Sequence, residues 1–136
     1  MRTSRVIAAP VIALFAGLAV AEPGKSVALL DNVPYQDAGM GRRVVVDEKH
    51  ALMMQAALKP GQKVPEHKAN SNVHILVLKG AVVVNLTGKD VAVKEGDLLP
   101  IAMGTQMHIR NDSKDNATFL IVKTPNPSEL PAPAAP

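Results

Sequence analysis

The spacing of apolar and polar residues divides the chain into a leader, an arm, a long alternating region and a tail. Val6 to Val20 is one apolar run, preceded by Arg2 and Arg5 and closed by Ala19-Val20-Ala21 before Glu22. A charged start, an apolar middle and a small-residue end are the three parts of a secretory signal peptide, read here as residues 1–21. The run is only about 15 residues long and contains Pro10, whereas a membrane-spanning helix needs roughly 20. Residues 22–41 form a more polar arm, with one short strand expected at Ser26 to Leu30 and turn signals at Asp31-Asn32, Pro34 and Gly39. Between residues 42 and 124, short apolar runs recur at Arg43 to Val46, Leu52 to Leu58, Val73 to Leu78, Ala81 to Leu86, Val91 to Lys94, Leu98 to Ile101, Met107 to Arg110 and Thr118 to Lys123. Turn residues separate them, among them Pro60-Gly61, Lys79-Gly80, Gly88, Gly96 and Gly104. Short strands punctuated by glycine turns predict an all-β sandwich or barrel.

Helix is the rival for Ala51 to Leu58, because Ala, Leu, Met and Gln all favour it. A place in a train of strands and an end at Pro60-Gly61 favour strand instead. Residues 125–136 are Pro-rich and read as a disordered tail. Ile75 to Leu78 and Ala81 to Val84 are apolar at consecutive positions, so both faces of those strands need cover. A homodimer supplies the second cover, and it is the expected assembly.

Removing residues 1–21 from the 136 leaves 115, enough for one domain with one core. Arg2 and Arg5 are two of the fifteen basic residues, so the remainder carries 13 basic against 12 acidic groups. No basic cluster and few aromatics remain, which argues against nucleic-acid binding. With no cysteine, the chain lacks disulfides, thiolate catalysis and thiolate-held metal clusters. The leader implies a periplasmic or secreted protein that is free of the membrane once the leader is cleaved.

Gly61, His67 and Gly80 stand at the spacing of G(x)5HxH(x)3-4E(x)6G, and Gly96, Gly104 and Asn111 at that of G(x)5PxG(x)2H(x)3N. On these residues, together with Leu58-Lys59-Pro60-Gly61 and Pro65-Glu66-His67, the stretch from about Ala51 to Thr124 resembles the cupin superfamily. The resemblance implies an antiparallel double-stranded β-helix, the cupin or jelly-roll barrel, over residues 42–124. In the family, two histidines and a glutamate of the first motif and a histidine of the second hold a divalent metal. Of these only His67 is present; the other positions are Ala69, Val73 and Met107, and the motif proline is Ala102. One imidazole and one thioether do not make the nitrogen and oxygen shell of iron, manganese or nickel. His74 and His108 lie one step out of register and, by strand alternation, point away from the pocket, where they are free to meet on an outer face.

The expectation is an exported, non-catalytic binding or accessory protein without a metal cofactor. Its small-molecule pocket would be lined by His67, Ala69, Val73 and Met107. One alternative is soft-metal binding, copper above all, through the histidines and Met40, Met53, Met54, Met103 and Met107. Another is metal-independent catalysis with His67 as base, for which the only tyrosine, Tyr35, lies outside the motifs. The charged pairs Arg42-Arg43 and Asp47-Glu48 read as solvated turn or edge residues.

Overall fold

The structure, a computed structural model, describes residues 20–131. Residues 1–19 of the leader and 132–136 of the tail lie outside the described residues. The described chain forms β1 (Gly41–Glu48), β2 (Ala51–Leu58), β3 (Lys63–Lys68), β4 (Asn72–Lys79), β5 (Ala81–Leu86), β6 (Lys89–Lys94), β7 (Leu98–Ile101), β8 (Gln106–Arg110) and β9 (Ala117–Thr124). All pairings are antiparallel and build two sheets, ordered β1-β2-β9-β4-β7 and β3-β8-β5-β6. This is the expected all-β, double-stranded β-helix. The segment with helical residue preferences, Ala51–Leu58, is a strand paired on both sides, so tertiary pairing overrides local propensity.

The core follows the period of two. On β4, Val73, Ile75 and Val77 are buried while His74, Leu76 and Leu78 are half-buried on the opposite face. Val82 and Val84, Met107 and Ile109, and Ala117 and Phe119 continue the same interior. Phe119 is the largest fully buried side chain, and aliphatic residues fill the space around it.

Four readings change. Ser26 to Leu30 is not a strand. The arm is held by side chains instead: Arg43 Nη2 donates to the Leu29 and Asp31 carbonyls, and Gln55 Nε2 donates to Leu29 O at 2.7 Å and Thr118 Oγ1 at 2.9 Å. Arg43 is therefore a clamp and not a solvated edge residue, because its guanidinium fork satisfies carbonyls that no strand partner takes. Asp47 is likewise engaged, accepting from Asn126 Nδ2 at 2.7 Å. Through that contact, with Asn126 buried and a short 3-10 turn at Pro127–Glu129, the first part of the proline-rich stretch packs onto the β1-β2 turn. Finally, β3 is a strand that hydropathy did not mark, since Lys63–Lys68 is mostly exposed and contains Pro65.

At one end of the barrel Asn111 is fully buried and ties several segments together. Its Nδ2 donates to Leu58 O at 3.0 Å and Asp115 O at 2.8 Å, while its Oδ1 accepts from Ser113 N and Oγ. Its backbone exchanges hydrogen bonds with the Gly61-Gln62 turn. Gly80, with φ of +80°, passes so close to Asn116 and Ala117 that a Cβ there would strike the Asn116 carbonyl. Asn111→Ala strands two carbonyls and a backbone donor in a buried site. It is expected to lower unfolding free energy by about 3 kcal/mol, read as a lower urea midpoint at unchanged slope.

Candidate functional site

Strand alternation and one irregularity decide which side chains reach the interior beside His67. Val64 pairs with Ile109 and His67 with Met107, so β3 advances three residues where β8 advances two. The extra residue is a β-bulge at Pro65-Glu66. Regular alternation would turn His67 outward once Val64 faces in. With the bulge, both line one cavity of about 170 Å³. His67 Nδ1 lies 2.9 Å from the Pro65 carbonyl oxygen, which leaves Nε2 as the ring nitrogen available to another partner.

His67, Ala69, Val73 and Met107, the four positions singled out by the motif spacing, are brought together in this cavity. Ala69, Val73, Met107, Ile75 and Ile109 are buried and make its apolar floor. Its rim is polar: Arg42, His67 and Asn70 are exposed and Lys123 is half-buried. Met40 and Met54 complete the wall beside Ile121. The cavity lies at the Val73 and Lys123 ends of β4 and β9, opposite the end that Asn111 closes.

Two cations of this rim were not anticipated. Arg42 is an exposed edge residue as expected, but it stands across from Ala56 on β2 and also lines the cavity. Lys123 follows Phe119 and Ile121 at every second position, so its inward side was legible once the register of β9 was known. Its Nζ donates to Asn70 Oδ1 at 2.9 Å. Burial pushes the Lys123 ammonium below the ordinary lysine range, and the Arg42 charge adds to the effect. No Asp, Glu or Tyr lines the cavity. Tyr35 sits in the arm, where burial raises its hydroxyl pKa.

His74 and His108 do not meet. His74 stands on β4 of the five-stranded sheet and His108 on β8 of the four-stranded sheet, each on the face opposite the core residues beside it. The outer faces of two packed sheets look in opposite directions, so no shared site forms. His108 instead lies 3.4 Å from Arg110, whose guanidinium holds Asp90 at 2.7 and 3.0 Å.

A divalent metal of the cupin kind does not fit this donor set. At its four positions the chain presents one imidazole, two hydrocarbon side chains and a thioether, beside two cations. Among the described residues no three His, Cys, Asp or Glu side chains are grouped to hold a metal.

Comparison with known proteins gives a consistent picture. The family profile described as "Cupin domain" matches residues 54–123. An uncharacterized protein of Methanocaldococcus jannaschii is 31% identical over 93 residues, covering 68% of this chain and 80% of that protein. Among solved structures, an RmlC-like cupin family protein with a double-stranded β-helix fold from M. jannaschii superimposes with a TM-score of 0.61 at 26% identity, over 70% of this chain and 90% of that one. A predicted oxalate decarboxylase of Thermotoga maritima gives 0.58 at 27% identity, over 64% and 81%. An RmlC-like cupin of Desulfovibrio desulfuricans gives 0.68 at 24% identity, over 74% and 96%, and shares the fold.

A lysine whose folded pKa lies below its ordinary value binds its proton less tightly than in the unfolded chain. The stability cost is full below the lowered pKa and fades as pH rises to the ordinary value near 10.5. Lys123→Met is therefore expected to raise Tm at pH 7, with the gain shrinking as pH climbs toward that value. An unchanged or lower Tm would mean that the Asn70 hydrogen bond outweighs desolvation.

Proposed function

The chain belongs to the cupin family, and from that premise we propose that it is an exported, non-catalytic binding or accessory protein that takes a small molecule in the barrel mouth. One observation carries the reading: the place of the family's metal is a cavity of about 170 Å³ with a hydrocarbon floor. Apolar concavities with a few polar groups at fixed positions are typical small-molecule sites. Export rests on the leader pattern of residues 1–21 and points to the periplasm or the extracellular space. Catalysis by His67 lacks support, because no carboxyl or phenol lines the cavity to act as its acid or orienter.

Copper is the second reading, and a specific observation favours it. Met40, Met54 and Met107 line the same cavity as His67, and thioethers with imidazole suit Cu(I). The charges oppose it, since Arg42 and Lys123 share that wall.

The proposal also includes a second copy of the chain. Leu76 and Leu78 of β4, Leu98 of β7 and Val122 of β9 lie on the outward face of the five-stranded sheet, with Leu98 57% exposed. On β1 and β2 the arm occupies this face through Arg43 and Gln55. A sheet face that is apolar and self-complementary is suited to a two-fold homodimer.

In a thermal-shift screen of the purified protein against small acids, amides and sugars, a bound molecule should raise Tm in proportion to the logarithm of its excess over Kd. Ala69→Leu, which fills the floor, should abolish that shift. Metal analysis and Cu(I), Zn(II), Fe(II) and Mn(II) titrations should give no tight stoichiometric complex. A one-to-one Cu(I) complex lost on replacing His67 and Met107 would establish the copper reading instead. Light scattering should give twice the chain mass, and Leu98→Glu should give the monomer; a monomeric wild type rules out the dimer.

A further inference from the structure

We propose that the cavity is selective for an apolar monocarboxylate, held with its carboxylate between Arg42 and Lys123 at the rim and its hydrocarbon body on the floor. This rests on the pocket reading above and names its ligand class. Charge is the first ground. Arg42, Lys123 and His67 are the ionisable groups that line the cavity, and no acidic side chain lines it. Among the described residues neither Arg42 nor Lys123 has an acidic partner, and Lys123 Nζ meets only the Asn70 amide oxygen. The chain beyond the leader is nearly balanced in charge, so two unpaired cations on one wall are a local arrangement.

Depth is the second ground. Exposure falls from Arg42 and Asn70 at the rim through half-buried Lys123 to Val73, Ile75 and Met107 below. A ligand matching that gradient has one charged head and an uncharged apolar body. A dicarboxylate or a phosphosugar would press polar groups onto hydrocarbon at a cost of several kcal/mol. Arginine accepts a carboxylate in a two-pronged hydrogen bond, and an ammonium beside it adds a point charge. An arriving anion also relieves the repulsion between the two cations.

Size is the third ground. An apolar cavity of about 150 Å³ admits benzene, and this one measures about 170 Å³. An aromatic or aliphatic acid of roughly six to eight carbons therefore fills it.

Isothermal titration with benzoate, benzamide and benzylamine tests the inference, because the three probes share a body and differ in charge. Benzoate should bind about tenfold or more tightly than benzamide, and benzylamine most weakly. Arg42→Gln and Lys123→Gln, confirmed folded by their melting curves, should each weaken benzoate by about tenfold and leave benzamide unchanged. Equal affinity for benzoate and benzamide, or benzoate binding untouched by both substitutions, overturns the anion selectivity and leaves the pocket standing. Failure of all three probes to bind overturns this inference and leaves the pocket reading to the wider screen, whereas binding that survives Ala69→Leu overturns both.

Discussion

A strand sends successive side chains to opposite faces, and every feature of this barrel depends on where that alternation is kept and where it slips. It is kept along β8, β9 and β4 from Val73 to Val77, which is why Val73, Met107 and Ile121 converge on one cavity while His74 and His108 are sent to opposite outer surfaces. It slips at Pro65-Glu66, and the slip puts His67 inside. The cause is local. Proline has no N–H for a ladder, so it is tolerated on an edge strand or at a bulge, and β3 is the edge of its sheet. One proline on an edge strand thus determines which way the histidine two residues later faces.

The two ends of the barrel solve opposite problems. At the Leu58 and Ala117 end, backbone groups leave their ladders inside the protein and need partners, which the buried Asn111 amide supplies. At the Val73 and Lys123 end no comparable knot spans the mouth, and the floor is left as hydrocarbon under a polar rim. The arm completes the arrangement, since the Arg43 and Gln55 clamp holds it just before the chain reaches Met40 and Arg42 at the cavity wall.

Much of this was legible in the sequence. Glycine punctuation marked eight of the strands to within two residues at most ends, because turns with positive φ such as those at Gly61 and Gly80 accept little else. The spacing of Gly61, Gly80, Gly96, Gly104 and Asn111 placed His67, Ala69, Val73 and Met107 in one cavity. What escaped has a common cause. β3 is held by pairing with β8 and not by burial, so hydropathy could not show it. The arm is held by side chains reaching carbonyls 11 to 26 residues away, which no local pattern encodes. Arg42 and Lys123 look like ordinary surface charges until the register shows that they line the cavity.

Hydrocarbon at positions 69 and 73 has a physical logic of its own. Val73 is only 3% exposed, and a carboxylate there without a cation would cost several kcal/mol of desolvation. Once the donor set is incomplete, each remaining ligand on the floor becomes a liability, and an apolar floor is the stable alternative. Charge that cannot sit at the floor can still sit at the rim, where water solvates the exposed Arg42 and part of Lys123. The family's metal ligands would put charge where this chain has Ala69, Val73 and Met107. This barrel has the reverse polarity, with charge at the mouth and hydrocarbon beneath. That polarity is the physical basis of the proposed pocket, whose rim would take the charged end of a ligand and whose floor the apolar end.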